Sequence, residues 1–166
     1  MTLPRRRSLL AAGALCALPA WTQAAEPAPK MLAWRDITLL DGTVLPAAAW
    51  HDTAAVLVFW ATHCPFCLRH NAHVEKLHRA TAGKRLRVIA FATDRDPQTV
   101  RRYMERNRYT FPVSLADSEA MRQRLGLGRT IPTTVGIGRD GRVGLALPGE
   151  MFEEDVLAMA RLAEAG

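Results

Sequence analysis

Long apolar runs are missing from this sequence. The stretch from Leu9 to Leu18 stops at Pro19, well short of the ~20 residues that a membrane-crossing helix needs. Cysteine is scarce, with three residues, Cys16, Cys64 and Cys67. That excludes the dense disulfide framework of a small secreted scaffold. A strong charge excess is missing too. The formal charge is +6, but residues 1–24 carry Arg5, Arg6 and Arg7 and no acid, and without them 19 basic residues face 16 acidic ones. Such a balance describes a solvated surface and excludes a nucleic-acid-binding stripe. From Trp34 onward there is no linker, repeat or low-complexity tract.

What is present begins with an export signal. Arg5–Arg7, the apolar stretch to Leu18 and the small residues Thr22 and Ala24 have the anatomy of a secretory signal cleaved after Ala24. Arg6-Arg7-Ser8-Leu9-Leu10 also resembles a twin-arginine signal. The alternative is an uncleaved N-terminal anchor that tethers the protein to the membrane. Residues 25–33, rich in Pro and Ala, read as a tether, and residues 34–166 as one domain. Cleavage removes Cys16 and leaves a single close pair, Cys64-Pro65-Phe66-Cys67. A lone close pair in an exported chain points to chemistry more than to scaffolding.

The apolar composition of 49% suits one buried core. Ile37–Leu40 and Thr43–Leu45 flank Asp41-Gly42, a hairpin signal. Val56–Trp60 and Arg87–Ala92 are continuous apolar runs suited to strands buried on both faces. The Cys64-Pro65 step predicts a helix start and Gly83 its stop after about Ala82. Asp96-Pro97 predicts a second helix to about Arg106, and Phe111–Leu115 a short strand. Asp117 predicts the cap of a third helix ending near Leu125-Gly126. Thr133–Ile137 and Arg142–Leu147 form a hairpin around Arg139-Asp140-Gly141, and Glu153–Glu164 a closing helix. Strands alternating with helices predict an α/β fold with helices on both faces of the sheet.

The sharpest motif is Trp60-Ala61-Thr62-His63-Cys64-Pro65-Phe66-Cys67, at a strand-to-helix junction. Only a thiolate attacks a disulfide. Unpaired N–H groups and the helix dipole favour an anion at the helix N-terminus, where Cys64 stands. Cys67, one turn inward, is placed to attack a mixed disulfide and release the product. Cys64 is thus the expected attacking thiol and Cys67 the resolving one. No second ligand pair with zinc spacing accompanies them, so a metal site is not expected.

The stretches Asp41-Gly42, FWATHCPFC (59–67), IPTT (131–134) and IGRDGRV (137–143) resemble the TlpA/ResA-like branch of the thioredoxin superfamily. The resemblance covers the chain from Trp34 to the C-terminus. It implies a thioredoxin fold, with a central mixed sheet, an N-terminal β-hairpin and a central helix–strand insertion at about Asp94 to Leu115. It implies cofactor-free dithiol–disulfide exchange in the periplasm with cysteines of partner proteins, by a monomer that draws electrons from a membrane thiol carrier. It also implies a cis Ile131-Pro132 bond facing the cysteine pair. Ile131 would then present its backbone to an extended substrate, with Phe66, Trp60 and Trp50 as candidates for an apolar rim, although Trp60 is better suited to packing beneath the site. Two departures from the pattern stand out. His63 occupies the place usually filled by tryptophan, and His70 the place of a glutamate three residues past the second cysteine. Val58 stands where thioredoxin has a buried aspartate, so the usual carboxylate near the inner thiol looks absent. A neutral His70 is suited to take the Cys67 proton and a charged His63 to hold the Cys64 thiolate; the alternative is that both serve packing or surface.

The expected function is therefore an exported protein-disulfide reductase. A disulfide oxidase or isomerase of the same fold is the first alternative, favoured by His63 and the missing carboxylate. A His/Cys metal-binding module built on His63, Cys64, Cys67 and His70 is the second. A peroxiredoxin-type peroxidase is not expected, because its threonine–cysteine spacing is not met.

Overall fold

Strand β3, Ala54–Trp60, carries no charge and no strongly polar side chain, so nothing keeps it from the centre of a sheet. The computed structural model, which describes residues 30–164, buries every residue of β3 completely. Its neighbours are β4 (Leu86–Ala92), parallel, and β6 (Thr133–Ile137), antiparallel. The short β5 (Val113–Ser114) and β7 (Val143–Pro148) complete a five-stranded mixed sheet of order β5-β4-β3-β6-β7. Strands β1 (Ile37–Thr38) and β2 (Val44–Leu45) form a separate antiparallel hairpin around Asp41-Gly42. Among the described residues four α-helices follow the expected order: α1 Pro65–Ala80, α2 Pro97–Asn107, α3 Ser118–Leu125 and α4 Glu153–Ala158.

Alternation along β3 divides the core in two. Val56, Val58 and Trp60 face a layer built from α1, α2 and α4, which includes Cys67, Val74, Tyr103 and Val156. Ala55, Leu57 and Phe59 face the opposite layer, with Trp50, Met121 and Leu125 of the hairpin side and α3. Helices therefore cover both faces, as the apolar runs predict. The fold is a thioredoxin fold with an added hairpin and with α2–β5 inserted at the β4 edge.

Four local expectations are corrected. The predicted tether does not extend to residue 33. Leu32 is buried, its N–H donates to Gly141 O at 2.9 Å, and Val143 N–H donates to Lys30 O at 2.8 Å. Residues 30–33 thus add themselves to the start of β7, and Trp34 stacks on Trp50 with centroids 4.0 Å apart. The earlier part of the tether and the signal lie outside the described residues. Helix α1 ends at Ala80 rather than Ala82, because Thr81 leaves the helical backbone (φ −107°, ψ 7°) and the Ala82 N–H turns to Arg79 O at 3.3 Å. Asp117 does not cap α3 with its side chain. Its carboxylate accepts Thr38 N–H at 2.6 Å instead, which ties the hairpin to the sheet. The closing helix tightens after Ala158 into a 3₁₀ turn, Met159–Ala163.

Helix α1 is anchored by a buried acid. The Glu75 carboxylate accepts the Thr110 N–H and hydroxyl, both at 2.7 Å, the Phe111 N–H at 3.3 Å and Arg79 Nε–H at 2.6 Å. Burial alone would raise its pKa, but these bonds outweigh burial and lower it. Glu75→Gln is expected to cost about 1–2 kcal/mol at neutral pH by weakening bonds to a charged acceptor. The difference from the parent should shrink as pH falls through the depressed Glu75 pKa, where the parent carboxylate is also neutralised. Urea unfolding of both proteins at neutral and acidic pH checks this.

Candidate active site

The site assembles where the C-terminal ends of β3 and β4 meet the N-terminus of α1. Residues 61–63 turn the chain from β3, and Cys64 is the N-cap of α1, with extended backbone (φ −90°, ψ 114°). Pro65 occupies the first turn, where its missing N–H costs nothing. The Cys64 sulfur accepts the Cys67 N–H at 3.2 Å, so it sits on the unpaired amides of the helix start. Cys64 is half-buried and Cys67 fully buried, and both are free thiols. Burial, then the neighbouring Cys64 sulfur and the Asp94 charge, push the Cys67 thiol up to about 12.

The Ile131-Pro132 bond is cis, and Ile131 O lies 3.9 Å from Cys64 Sγ as the acceptor of its thiol. Pro132 is buried and its carbonyl accepts the Gly149 N–H at 2.7 Å. Ile131 and Pro132 thus stand beside the outer sulfur. Phe66 projects into solvent, 55% exposed, with the Arg69 guanidinium 5.2 Å from its ring. Arg69 is held in turn by Glu150 at 2.7 and 2.5 Å. Trp60 and Trp50 do not join this rim. Both rings are buried in the core, on opposite faces of the sheet, because each belongs to an inward position of its element.

The histidines also depart from expectation. His63 is 79% exposed, and its Nδ1 lies 3.9 Å from Asp94 Oδ1. It is turned toward a carboxylate and has no bond to Cys64. His70 is fully buried. Its Nδ1 accepts the Met151 N–H at 3.3 Å, which places its proton on Nε2, and Nε2–H donates to Thr134 Oγ1 at 2.8 Å. Both nitrogens are engaged, so no lone pair is free to take the Cys67 proton. Burial, with a smaller contribution from His73, lowers the His70 pKa to about 4. It is a neutral strut between α1, β6 and the β7–α4 turn. For the same reason His63, Cys64, Cys67 and His70 do not gather as metal ligands. Among the described residues, no three His, Cys, Asp or Glu side chains converge on a metal position.

Asp94 is the residue the motif reading missed. Its carboxylate accepts Thr62 Oγ1–H at 2.6 Å and the Thr62 N–H at 3.1 and 3.3 Å, with its side chain only 8% exposed. An acid therefore does reach the cysteine site, from the end of β4 rather than from β3. The parallel register Trp60↔Ala92 brings residues 62 and 94 together. The usable signal was that adjacent parallel strands end at the same edge, where sites form. A pocket of about 310 Å³ opens on this side of Cys64, lined by Thr62, His63, Pro65, Tyr103 and Arg106.

The family model Redoxin matches residues 23–153. The chain is 28% identical over 117 residues to Thiol-disulfide oxidoreductase ResA of Halalkalibacterium halodurans, covering 70% of this chain and 66% of that protein. It is 27% identical to the protein of the same name from Geobacillus thermodenitrificans, covering 70% and 67%. A thiol:disulfide interchange protein of the thioredoxin family from Chlorobium tepidum superposes with a TM-score of 0.75 at 21% identity, covering 84% of this chain and 99% of its own. StoA from Bacillus subtilis superposes at 0.64 with 19% identity, covering 82% and 98%. Together with the cysteine pair on α1, these likenesses place the chain in the Redoxin family, as a TlpA/ResA-like member of the thioredoxin superfamily.

Proposed function

We propose that this protein is an exported thiol–disulfide oxidoreductase that works as a protein-disulfide reductase. The observation that carries the reading is the outer sulfur of Cys64, half-exposed on the helix start and flanked by the Ile131 carbonyl, over a buried Cys67. Cys64 attacks a substrate disulfide, and Cys67 then attacks Cys64 and releases the reduced substrate. An extended substrate segment pairs with the backbone at Ile131 as an added strand, with Phe66 as its apolar contact. Among the described residues no helix is long and apolar enough to cross a membrane. The reading places the domain in the periplasm, as a monomer re-reduced by a membrane thiol carrier.

What surrounds Cys64 supports the reductase direction. Strong oxidants hold their reduced form by heavily stabilising the outer thiolate. Here Pro65 withholds one N–H, His63 is turned toward Asp94, and Arg69 is neutralised by Glu150. The features that favoured an oxidase, a charged His63 on Cys64 and a missing carboxylate, are not in place. A reduction potential near that of thioredoxin, about −270 mV, is expected, and a value near −120 mV would make the protein an oxidase instead. Alkylation tests the division of labour. At pH 7 a thiol with a pKa of about 12 is roughly 10⁻⁵ ionised. Iodoacetamide should therefore modify Cys64 long before Cys67 in the folded reduced protein. Mass spectrometry reads the order, and earlier labelling of Cys67 would reverse the roles.

A further inference from the structure

Resolution requires the Cys67 proton to leave a fully buried site. His70, the group expected to take it, has both nitrogens engaged, and Asp94 hydrogen-bonds to Thr62 rather than to Cys67. Asn71 stands one turn past Cys67 on the same face of α1. It is completely buried, and neither its amide nitrogen nor its amide oxygen has a hydrogen-bond partner. Its neighbour Tyr103 of α2 is 3% exposed, and its hydroxyl faces the Asn71 side chain without completing a hydrogen bond to it. The Tyr103 ring tilts against Trp60 at 4.8 Å and shares the core layer of Cys67. Its other side lines the pocket that holds Cys64, Thr62 and Arg106. Buried polar groups are almost always paired, and unpaired ones in a polar pocket are the places where buried water binds.

We propose that Asn71 and Tyr103 hold a water against Cys67 that takes its proton in the resolving step and passes it to the pocket beside Cys64. The inference rests on the reading of Cys67 as the resolving thiol. The Cys67 S–H proton moves to the water, the water gives a proton to the Tyr103 oxygen, and the Tyr103 hydroxyl proton leaves into the pocket. Each relay group ends neutral. The Cys67 sulfur forms the bond to Cys64 as the Cys64–substrate bond breaks. The electron pair leaves on the substrate sulfur, which takes a proton from solvent. The carboxamide of Asn71 suits the task, since it donates to and accepts from one water while carrying no charge that would trap the proton. The titratable and charged groups facing this path are Cys64 and Asp94 toward Cys67, and Arg106 and Tyr109 toward Tyr103. Asn71 and Tyr103 are positioning residues, since they act on the sulfur through the water.

The test uses 5,5′-dithiobis(2-nitrobenzoate) with the reduced full protein in a stopped-flow instrument. The first equivalent of coloured thiolate reports attack by Cys64, and the second reports release by Cys67. Asn71→Leu and Tyr103→Phe should leave the first phase unchanged and slow the second by about 10²-fold at pH 7. The second phase of the variants should also rise tenfold per pH unit from about pH 6 to about pH 9, as hydroxide replaces the relay, while the parent's rises less steeply. Asn71→Leu should change the melting temperature little, because the amide and the water it holds leave together. If Asn71→Leu fails to fold, Tyr103→Phe, which keeps the ring packing, carries the test alone. An unchanged second phase, or an equal slowing of both phases, overturns the relay. A parent protein that shows the first phase and no second overturns the resolving role of Cys67 itself, a separate result.

Discussion

Cys67→Ser is expected to abolish turnover and to leave substrates joined to Cys64. With the inner sulfur gone, the first exchange still occurs, because Cys64 keeps its place on the helix start. Its contact with the Ile131 carbonyl is unchanged, and the Cys67 N–H that it accepts at 3.2 Å belongs to the backbone and survives the substitution. The serine hydroxyl cannot displace the substrate thiolate, so the mixed disulfide persists. Cys64→Ser should be equally inactive and should trap nothing, since Cys67 is fully buried and its thiol is pushed up to about 12. Non-reducing gels of cell extracts, followed by mass spectrometry of the adducts, would show the difference and identify the partners. Adducts on Cys64→Ser in place of Cys67→Ser would mean that the inner thiol attacks first.

Acidification should destabilise this protein through His70, with a loss of about 2–3 kcal/mol between pH 7.5 and pH 4.5. The sign follows from the depressed pKa. In the unfolded chain the imidazole binds a proton near 6.5, while in the folded chain it does so only near 4. Above 6.5 both states are neutral and the His70 contribution is fully present. Below 6.5 the unfolded state gains a proton that the folded state refuses, and stability falls by about 1.4 kcal/mol per pH unit until the folded pKa is reached. The refusal has a structural cause. Protonation would place a second N–H on Nδ1, against the Met151 N–H that it now accepts, in a fully buried site. His70→Gln should be less stable at pH 7.5 and should lose about 2–3 kcal/mol less on acidification. Burial also lowers the His78 pKa, and Glu75 titrates below its usual range, but both are common to the two proteins and cancel in the difference. Urea midpoints at the two pH values decide it. Equal losses in parent and variant would show that the acid sensitivity lies elsewhere.

The two substitutions act on opposite ends of α1's first turns, and the sequence is informative about only one of them. Cys64-Pro65-Phe66-Cys67 is legible because the chemistry depends on local facts. Proline is tolerated in a first helical turn, amides are unpaired there, and three residues separate an outer sulfur from an inner one. The apolar runs Ala54–Trp60 and Leu86–Ala92 are legible because a strand buried on both faces cannot carry charge. The hairpin at Asp41-Gly42 and the turn at Asp140-Gly141 are legible because positive φ, 90° at Gly42 and 81° at Gly141, favours glycine.

What the chain itself could not disclose is which side chains meet across elements. Val58 has no carboxylate, and that absence was local; Asp94 fills the gap from 36 residues along only because β3 and β4 are parallel and in register. His70 looked like a base because it is one turn from Cys67. Its role is decided by Thr134 and Met151, 64 and 81 residues away, whose groups occupy both nitrogens. Trp50 was a candidate for the rim of the site, yet it is buried on the other face of the sheet, among Leu57 and Phe59. The sequence by itself determined the strands, the helix start and the reactive pair, which depend on neighbours in the chain. The proton path, the buried histidine and the walls around Cys64 were decided by tertiary packing, because proton transfer and desolvation depend on distances between groups that the chain keeps far apart.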